Sequence, residues 1–266
     1  HGPGPVGHAA GAGPVPAAAD LAGRRWPVGG DHRSGADRRR DAGATAPFCV
    51  LAERQTAGRG RRGRPWASPF AENLYCSLIV RVDGGMRQIE ALSLTVGLAV
   101  ARTLLNSGIQ DVGVKWPNDV LVGERKLAGV LLELSGDPAD VCHVVIGIGL
   151  NVNMLSAASA AIGQPWTSMR AELGRVVNRN ELVVGLNRHL SHYLDIQLRH
   201  GFSALQGEWQ DCHIWQGRSV MLTAGSEPVT GIVLGVDHSG AVRLLVDGQE
   251  HSFSGGELSM RLRNDS

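Results

Sequence analysis

Gln55-Thr56-Ala57-Gly58-Arg59-Gly60-Arg61-Arg62-Gly63-Arg64-Pro65-Trp66 interleaves three glycines with four arginines and closes on a tryptophan. Glycines let backbone N–H groups approach an anion, arginines grip phosphate bidentately, and an indole stacks on a base. Taken alone, such a run also fits a flexible basic loop or a nucleic-acid patch. Its flanks argue otherwise. Residues 48–52 (FCVLA) and 73–80 (NLYCSLIV) are apolar runs of strand length. The arginine loop is therefore mounted on a sheet, where ligand-binding loops sit, and not in a low-complexity tail. It lacks the Gly-Lys-Ser/Thr ending of a P-loop and is no dinucleotide fingerprint.

Working outward, residues 89–105 carry Ile89, Leu92, Val96, Ala99 and Val100 at helical spacing. Strands are predicted over 112–116, 120–122, 127–134 and 141–148. Asn178 with Glu181 forms a capping box that opens a long helix burying Val183, Leu186, Leu190 and Leu194. A shorter helix is predicted from Ser203, with Gln206 at the capping-box position. Beyond Trp215 the pattern becomes short strands over 219–223, 229–236, 241–246 and 250–253. Asp247-Gly248 is the hairpin signal between the last two. This reads as an α+β chain: a mixed sheet with packed helices over 44–214, then a small β-barrel over 215–266.

Three further segments carry polar groups suited to chemistry. Lys115-Trp116-Pro117-Asn118-Asp119-Val120 places a lysine, an amide and a carboxylate around a proline turn; the carboxylate could orient or deprotonate an amine. The same segment also fits a plain strand-turn-strand connection. Residues 126–133 (KLAGVLLE) open an apolar strand with Lys126 and interrupt it at Gly129, a mark of close ligand approach. Gly147-Ile148-Gly149-Leu150-Asn151-Val152-Asn153 ends a strand on an asparagine able to meet a phosphate or a Mg²⁺ shell, or simply to form a turn. Of 26 basic residues only Lys115 and Lys126 are lysines, and both fall in these segments.

A formal net charge of +1 excludes a polycationic nucleic-acid packer and an acidic disordered tail. No apolar run is long enough to predict a transmembrane helix, and no signal peptide is evident. Cys49, Cys76, Cys142 and Cys212 are far apart and show no metal-ligand spacing. A reducing cytoplasm is the expectation, with no dedicated metal site and no membrane partner.

With these segments in this order, the chain resembles the biotin protein ligases, that is, the biotin–[acetyl-CoA-carboxylase] ligases. The motifs QTAGRGRRGRPW, KWPNDV, RKLAGVLLE and GIGLNVN carry the resemblance, which runs through residues 46–263 and includes Phe253-Ser254-Gly255-Gly256-Glu257-Leu258-Ser259. It implies a catalytic domain related to class II aminoacyl-tRNA synthetases and a C-terminal barrel of the Src-homology-3 type. It implies ATP with Mg²⁺ as co-substrate, biotin as substrate, biotinyl-5′-AMP as intermediate, and a lysine of the biotin carboxyl carrier protein as acceptor. Arg61, Lys126 and Asp119 would be catalytic. Gln55, Arg59, Gly60, Arg61, Lys126 and Gly129 would bind biotin. Arg61, Arg62, Trp66, Asn118, Asn151 and Trp166 would bind ATP and the adenylate, with Asn151 also a candidate on the metal side. Trp66 and Trp166 would pack near the adenine. A homodimer formed through a sheet edge is a further implication. Lipoate ligases share the fold, and labelled-biotin transfer separates them; salt-dependent nucleic-acid binding would mark the competing reading of the arginine loop.

Residues 1–43 break the pattern. They use ten residue types and give no helical or strand period. The serine-threonine-asparagine strand that lines the biotin pocket in the family has no counterpart there. The segment reads as disordered or as an out-of-frame translation of a GC-rich coding region, without a helix-turn-helix for DNA binding. Read as written, it removes one wall of the pocket, which predicts weak biotin binding or a catalytically dead chain.

Overall fold

The computed structural model describes residues 47–83, 89, 91–136, 141–155, 162–224, 227–254 and 258–263. The expectations for residues 1–43 lie outside them.

Six strands form the first sheet: β1 (Phe48–Ala52), β2 (Leu74–Asp83), β3 (Val112–Lys115), β4 (Asp119–Val122), β5 (Arg125–Gly136) and β6 (Val141–Leu150). Their order is β1-β2-β6-β5-β4-β3, and every pairing is antiparallel. The expected mixed sheet is thus corrected for the described strands. Parallel contact is confined to isolated bridges, Val114 with His213 and Lys126 with Trp166. Hairpins dominate because β3–β4, β4–β5 and β5–β6 are joined by short connections, which reverse the chain.

Period-2 alternation sorts the residues of the central strands onto two faces. Leu74, Cys76, Leu78 and Val82 of β2, with Val144, Ile146, Ile148 and Leu150 of β6, join the main core. The same core is covered by α1 (Leu92–Asn106), which packs on β3, β4 and β5 and buries Leu94, Val96, Leu98, Ala99, Val100 and Leu104. An apolar helix of this kind has no solvent face, so it belongs between layers. Fully burying each such Leu or Val contributes about 1.5–3 kcal/mol. The opposite face holds a small separate cluster of Val50, Ile79 and Val145.

The long helix begins as expected. α2 is the short Met169–Leu173 turn, capped by Ser168, and α3 spans Arg179–His200. Asn178 Oδ1 accepts from the amides of Asn180 and Glu181, and its own amide donates to Glu181 Oε1 at 3.0 Å. Leu182, Leu186, Leu190 and Leu194 form the buried stripe. Leu186, Leu190 and Leu194 are buried as expected; Val183 is only half-buried, and Leu182 takes its place at the start of the stripe. The short helix starts later than predicted: a 3-10 turn covers Phe202–Ala204 and α4 covers Gln206–Asp211. Gln206 does not cap it; its amide reaches the Val236 carbonyl at 2.7 Å.

The second sheet has β7 (Ser219–Ala224), β8 (Glu227–Val236), β9 (Val242–Val246), β10 (Gln249–Phe253) and β11 (Ser259–Leu262), ordered β10-β9-β8-β7-β11 and antiparallel throughout. Asp247 and Gly248 turn the β9–β10 hairpin with φ of 50° and 79°, the positive-φ pair that such a turn demands. β10 and β11 are not paired with each other among the described residues, so the sheet is unclosed as described. Buried residues of both sheets, from Leu74 to Met260, form one continuous cluster. Among the described residues no helix is long and apolar enough to cross a membrane.

Candidate active site

One row of register partners crosses the whole first sheet. Lys115 pairs with Asp119, Asp119 with Gly129, Gly129 with Gly149, Gly149 with Tyr75, and Tyr75 with Ala52. Residues opposite one another in an antiparallel ladder point to the same face. Three of the sequence motifs are thereby aligned on a single face, the one turned away from α1.

The middle of the row is hollow. Gly129 and Gly149 face each other, and the Trp66 indole lies over them. A Cβ added at Gly149 would stand 2.6 Å from Trp66 Cε2 and Cζ2; one added at Gly129 would stand 3.3 Å from Trp66 Cζ3 and 3.2 Å from Lys126 Nζ. At Gly149 only glycine permits that approach, while Gly129 is tight. Trp66 therefore sits on the sheet floor among these glycines. The Trp66 Nε1–H and the Ser77 hydroxyl on the same face are buried without a hydrogen-bond partner. Such groups are costly unless a ligand supplies the partner. Ser77 lies outside the motifs, and only the alternation of β2 around it could have drawn notice.

The end of the row is charged. Lys126 Nζ lies 2.6 Å from Asp119 Oδ1, and Lys115 Nζ lies 3.7 Å from Asp119 Oδ2. All three side chains are at most 18 % exposed, so water screens them little. Two ammonium groups on one carboxylate leave a net positive corner. Lys126 also lies 5.3 Å from the Trp66 ring centroid and Lys115 lies 4.6 Å from that of Trp215. Burial pushes the Lys115 ammonium below the usual lysine range, against the opposing pull of Asp119.

The arginine loop folds as a small hairpin over this corner. Gly60 N–H donates to the Arg64 carbonyl at 2.7 Å and Trp66 N–H to the Gly58 carbonyl at 2.9 Å, with a bridge between Arg59 and Pro65. A 3-10 turn at Arg61–Gly63 forms its tip, where Arg62 and Gly63 have φ of 59° and 68°. Gln55 is buried at the base: its N–H donates to Ser68 Oγ at 2.6 Å, and its side chain packs beneath Gly58.

Arg61 is held from two sides. It donates to the Leu258 carbonyl at 3.0 Å and to Asn118 Oδ1 at 3.4 Å, while Asn118 donates to the Val130 carbonyl at 2.7 Å. Arg59 pairs with Glu133 at 3.6 Å. Neither Glu133 nor Leu258 was singled out as a site residue, because each matters only through a contact distant in sequence.

Asn151 and Trp166 lie on the other side of Lys126. Asn151 donates to the Thr167 carbonyl at 3.0 Å, and Lys126 N–H donates to the Pro165 carbonyl at 3.0 Å. Together they tie the 165–168 segment to the start of β5 and fix where Lys126 stands. Among the described residues no group of three or more His, Cys, Asp or Glu could hold a metal ion.

Known proteins resemble this chain in sequence and fold. The family described as Biotin/lipoate A/B protein ligase matches residues 34–151, and the Biotin protein ligase C terminal domain matches residues 217–261. The first of these matches begins upstream of the described residues. The Biotin--[acetyl-CoA-carboxylase] ligase of Paracoccus denitrificans is 34 % identical over 208 residues, 76 % of this chain and 85 % of that protein. The Bifunctional ligase/repressor BirA of Escherichia coli K12 is 39 % identical over 211 residues, 79 % of this chain; the match spans 65 % of that protein, just under two thirds of its length. A solved structure of the biotin protein ligase from Aquifex aeolicus in complex with biotin and ATP superposes with a TM-score of 0.75 at 28 % identity, covering 88 % of this chain and 96 % of that one.

Proposed function

The chain belongs to the biotin protein ligase family, and we propose that it joins biotin to a lysine of a biotin carboxyl carrier protein at the expense of ATP. The reading rests above all on the row Lys115–Asp119–Gly129–Gly149: two glycines that seat the Trp66 indole as an apolar platform, next to a cationic corner for a carboxylate and a phosphate.

The first step joins two anions. The biotin carboxylate attacks the α-phosphate of ATP, which arrives with Mg²⁺, and pyrophosphate leaves. Lys126 lowers the repulsion between nucleophile and phosphate, and Arg61 stabilises charge that builds on the phosphate; both are pre-positioned, so neither has to reorganise during the reaction. Gln55, Arg59, Gly60 and Gly129 line the biotin side, and Arg62, Trp66, Asn118, Asn151 and Trp166 the adenylate side. In the second step the acceptor lysine amine attacks the mixed anhydride and AMP leaves. Asp119 orients that amine and takes its proton once Lys126 has turned to the ligand. The loop over the adenylate keeps water from hydrolysing it.

The five-stranded C-terminal sheet serves as the small barrel-type domain of the family, with the boundary near Trp215. The acceptor is the carrier of acetyl-CoA carboxylase or a related carboxylase, in the cytoplasm, and a homodimer forms through a sheet edge. Biotin-dependent exchange of pyrophosphate into ATP, followed by transfer of labelled biotin to carrier protein, tests the proposal. Activity in both assays supports it; absence of both with folded protein overturns it. Lipoate in place of biotin in the exchange assay tests the sister activity.

A further inference from the structure

The thiols of Cys49 and Cys76 stand 3.3 Å apart, sulfur to sulfur, across the β1–β2 pair. Register places Cys49 opposite Leu78 and Cys76 opposite Leu51, so the two cysteines are diagonal neighbours on one face. That face is the one packed on the core, not the ligand face: Cys76 belongs to the main cluster and Cys49 packs against it. The chain between them is the β1–β2 connection, which holds the whole of Gln55–Trp66. Among the described residues β1 stands at the edge of the sheet and pairs with β2 alone.

We propose that Cys49 and Cys76 form a reversible dithiol–disulfide pair that closes the base of the arginine loop under oxidation by a peroxide. The roles follow from position. Cys49, on the edge strand, is partly exposed and meets the oxidant; Cys76 is 3 % exposed and acts from within as the resolving thiol. A hydrogen bond from Cys76 favours the Cys49 thiolate and holds that thiol below its usual range, while the same contact and burial push Cys76 up.

In the first step the Cys49 thiolate attacks one peroxide oxygen. An S–O bond forms, the O–O bond breaks, and hydroxide leaves as water after protonation, giving a sulfenic acid. In the second, the Cys76 sulfur attacks Cys49 sulfur. The S–S bond forms, the S–O bond breaks, a second water leaves and the Cys76 proton is consumed in it. Two thiols lose two electrons in total and one peroxide becomes two waters. A dithiol reductant reverses the change by exchange. The disulfide ties the edge strand to its neighbour by a covalent bond, so the loop can no longer open by fraying β1. The proposal is independent of the ligase reading, since its test reads cross-linking and loop motion and needs no substrate.

The experiment treats the full chain with near-stoichiometric hydrogen peroxide, blocks remaining thiols, and maps peptides by mass spectrometry. The expected product is a Cys49–Cys76 peptide pair that dithiothreitol releases. A Cys76→Ser variant should instead accumulate a dimedone-reactive sulfenic acid at Cys49, and Cys49→Ser should yield neither product. Hydrogen exchange over residues 55–66 should be several-fold slower in the oxidised than in the reduced wild-type protein. No linkage in the wild type, or linkage through Cys142 or Cys212 instead, overturns the pairing. Linkage with unchanged loop exchange overturns its action on the loop. The wild-type arms decide both points even where a variant folds poorly.

Discussion

The Trp66 indole rests on the bare backbone of Gly149, so close that a single added methyl at the glycine would stand 2.6 Å from two of its ring carbons. Gly149→Ala must therefore move the indole or the loop behind it, at a cost of about 1–3 kcal/mol from overpacking. If that cost falls on the ligand-bound form, the expected result is a biotin affinity about five- to a hundredfold weaker, since about 1.4 kcal/mol equals a factor of ten, with β-sheet circular dichroism unchanged. Calorimetric titration checks it; an unaltered affinity would separate the glycine hollow from biotin binding.

Asp119 carries two lysines, at 2.6 Å and 3.7 Å. Asp119→Asn leaves both ammonium groups facing a neutral amide in a poorly screened corner. Loss of one member of a fully buried pair costs about 3–5 kcal/mol, and these partly exposed side chains should lose less than that. We expect the denaturation midpoint to fall and the transfer to carrier protein to drop far more than pyrophosphate exchange does. Equal losses in the two half-reactions would argue against a role for Asp119 in handling the amine.

Arg61 reaches both the Leu258 carbonyl and Asn118. Arg61→Ala should slow biotin-dependent pyrophosphate exchange about 10²–10³-fold, the usual effect of removing one preorganised donor. Arg61→Lys should recover little, because one ammonium cannot reproduce the two-sided fork. Full activity in either variant would remove Arg61 from the catalytic step.

His213, stacked on Trp209 at 4.7 Å between ring centroids, has its pKa lowered from 6.5 to about 4, chiefly by burial. The sign follows from proton counts. Between pH 4 and 6.5 the unfolded chain binds a proton there that the folded chain does not, so stability rises with pH across this window. Acidification from 6.5 through 4 should cost about 3 kcal/mol at this site. Urea midpoints for wild type and His213→Phe across that range check it: the variant should show a flatter dependence, and parallel curves would exclude the imidazole as the cause.

Much of this was legible in the chain itself. Phe48–Ala52 was found to the residue, and the Asn178 cap and the Asp247-Gly248 turn behave as their chemistry requires, because strand length, caps and tight turns are local properties. What failed depended on partners distant in sequence. Ser203 and Gln206 have capping-box spacing, yet Gln206 is drawn away by the Val236 carbonyl. β11 was missed as a strand because its four residues gain their identity from pairing with β7.

The sequence by itself determined the alternation of the strands, the glycines and cations of the motifs, and the loop that joins β1 to β2. It could not say which motif faces which. Register in a sheet depends on partners tens of residues away, and a slip of one residue would turn every side chain to the other face. Only the folded sheet sets Gly129 opposite Gly149, brings Lys115 and Lys126 to one carboxylate, carries Leu258 to Arg61, and leaves Cys49 and Cys76 in contact on the far side from the ligand.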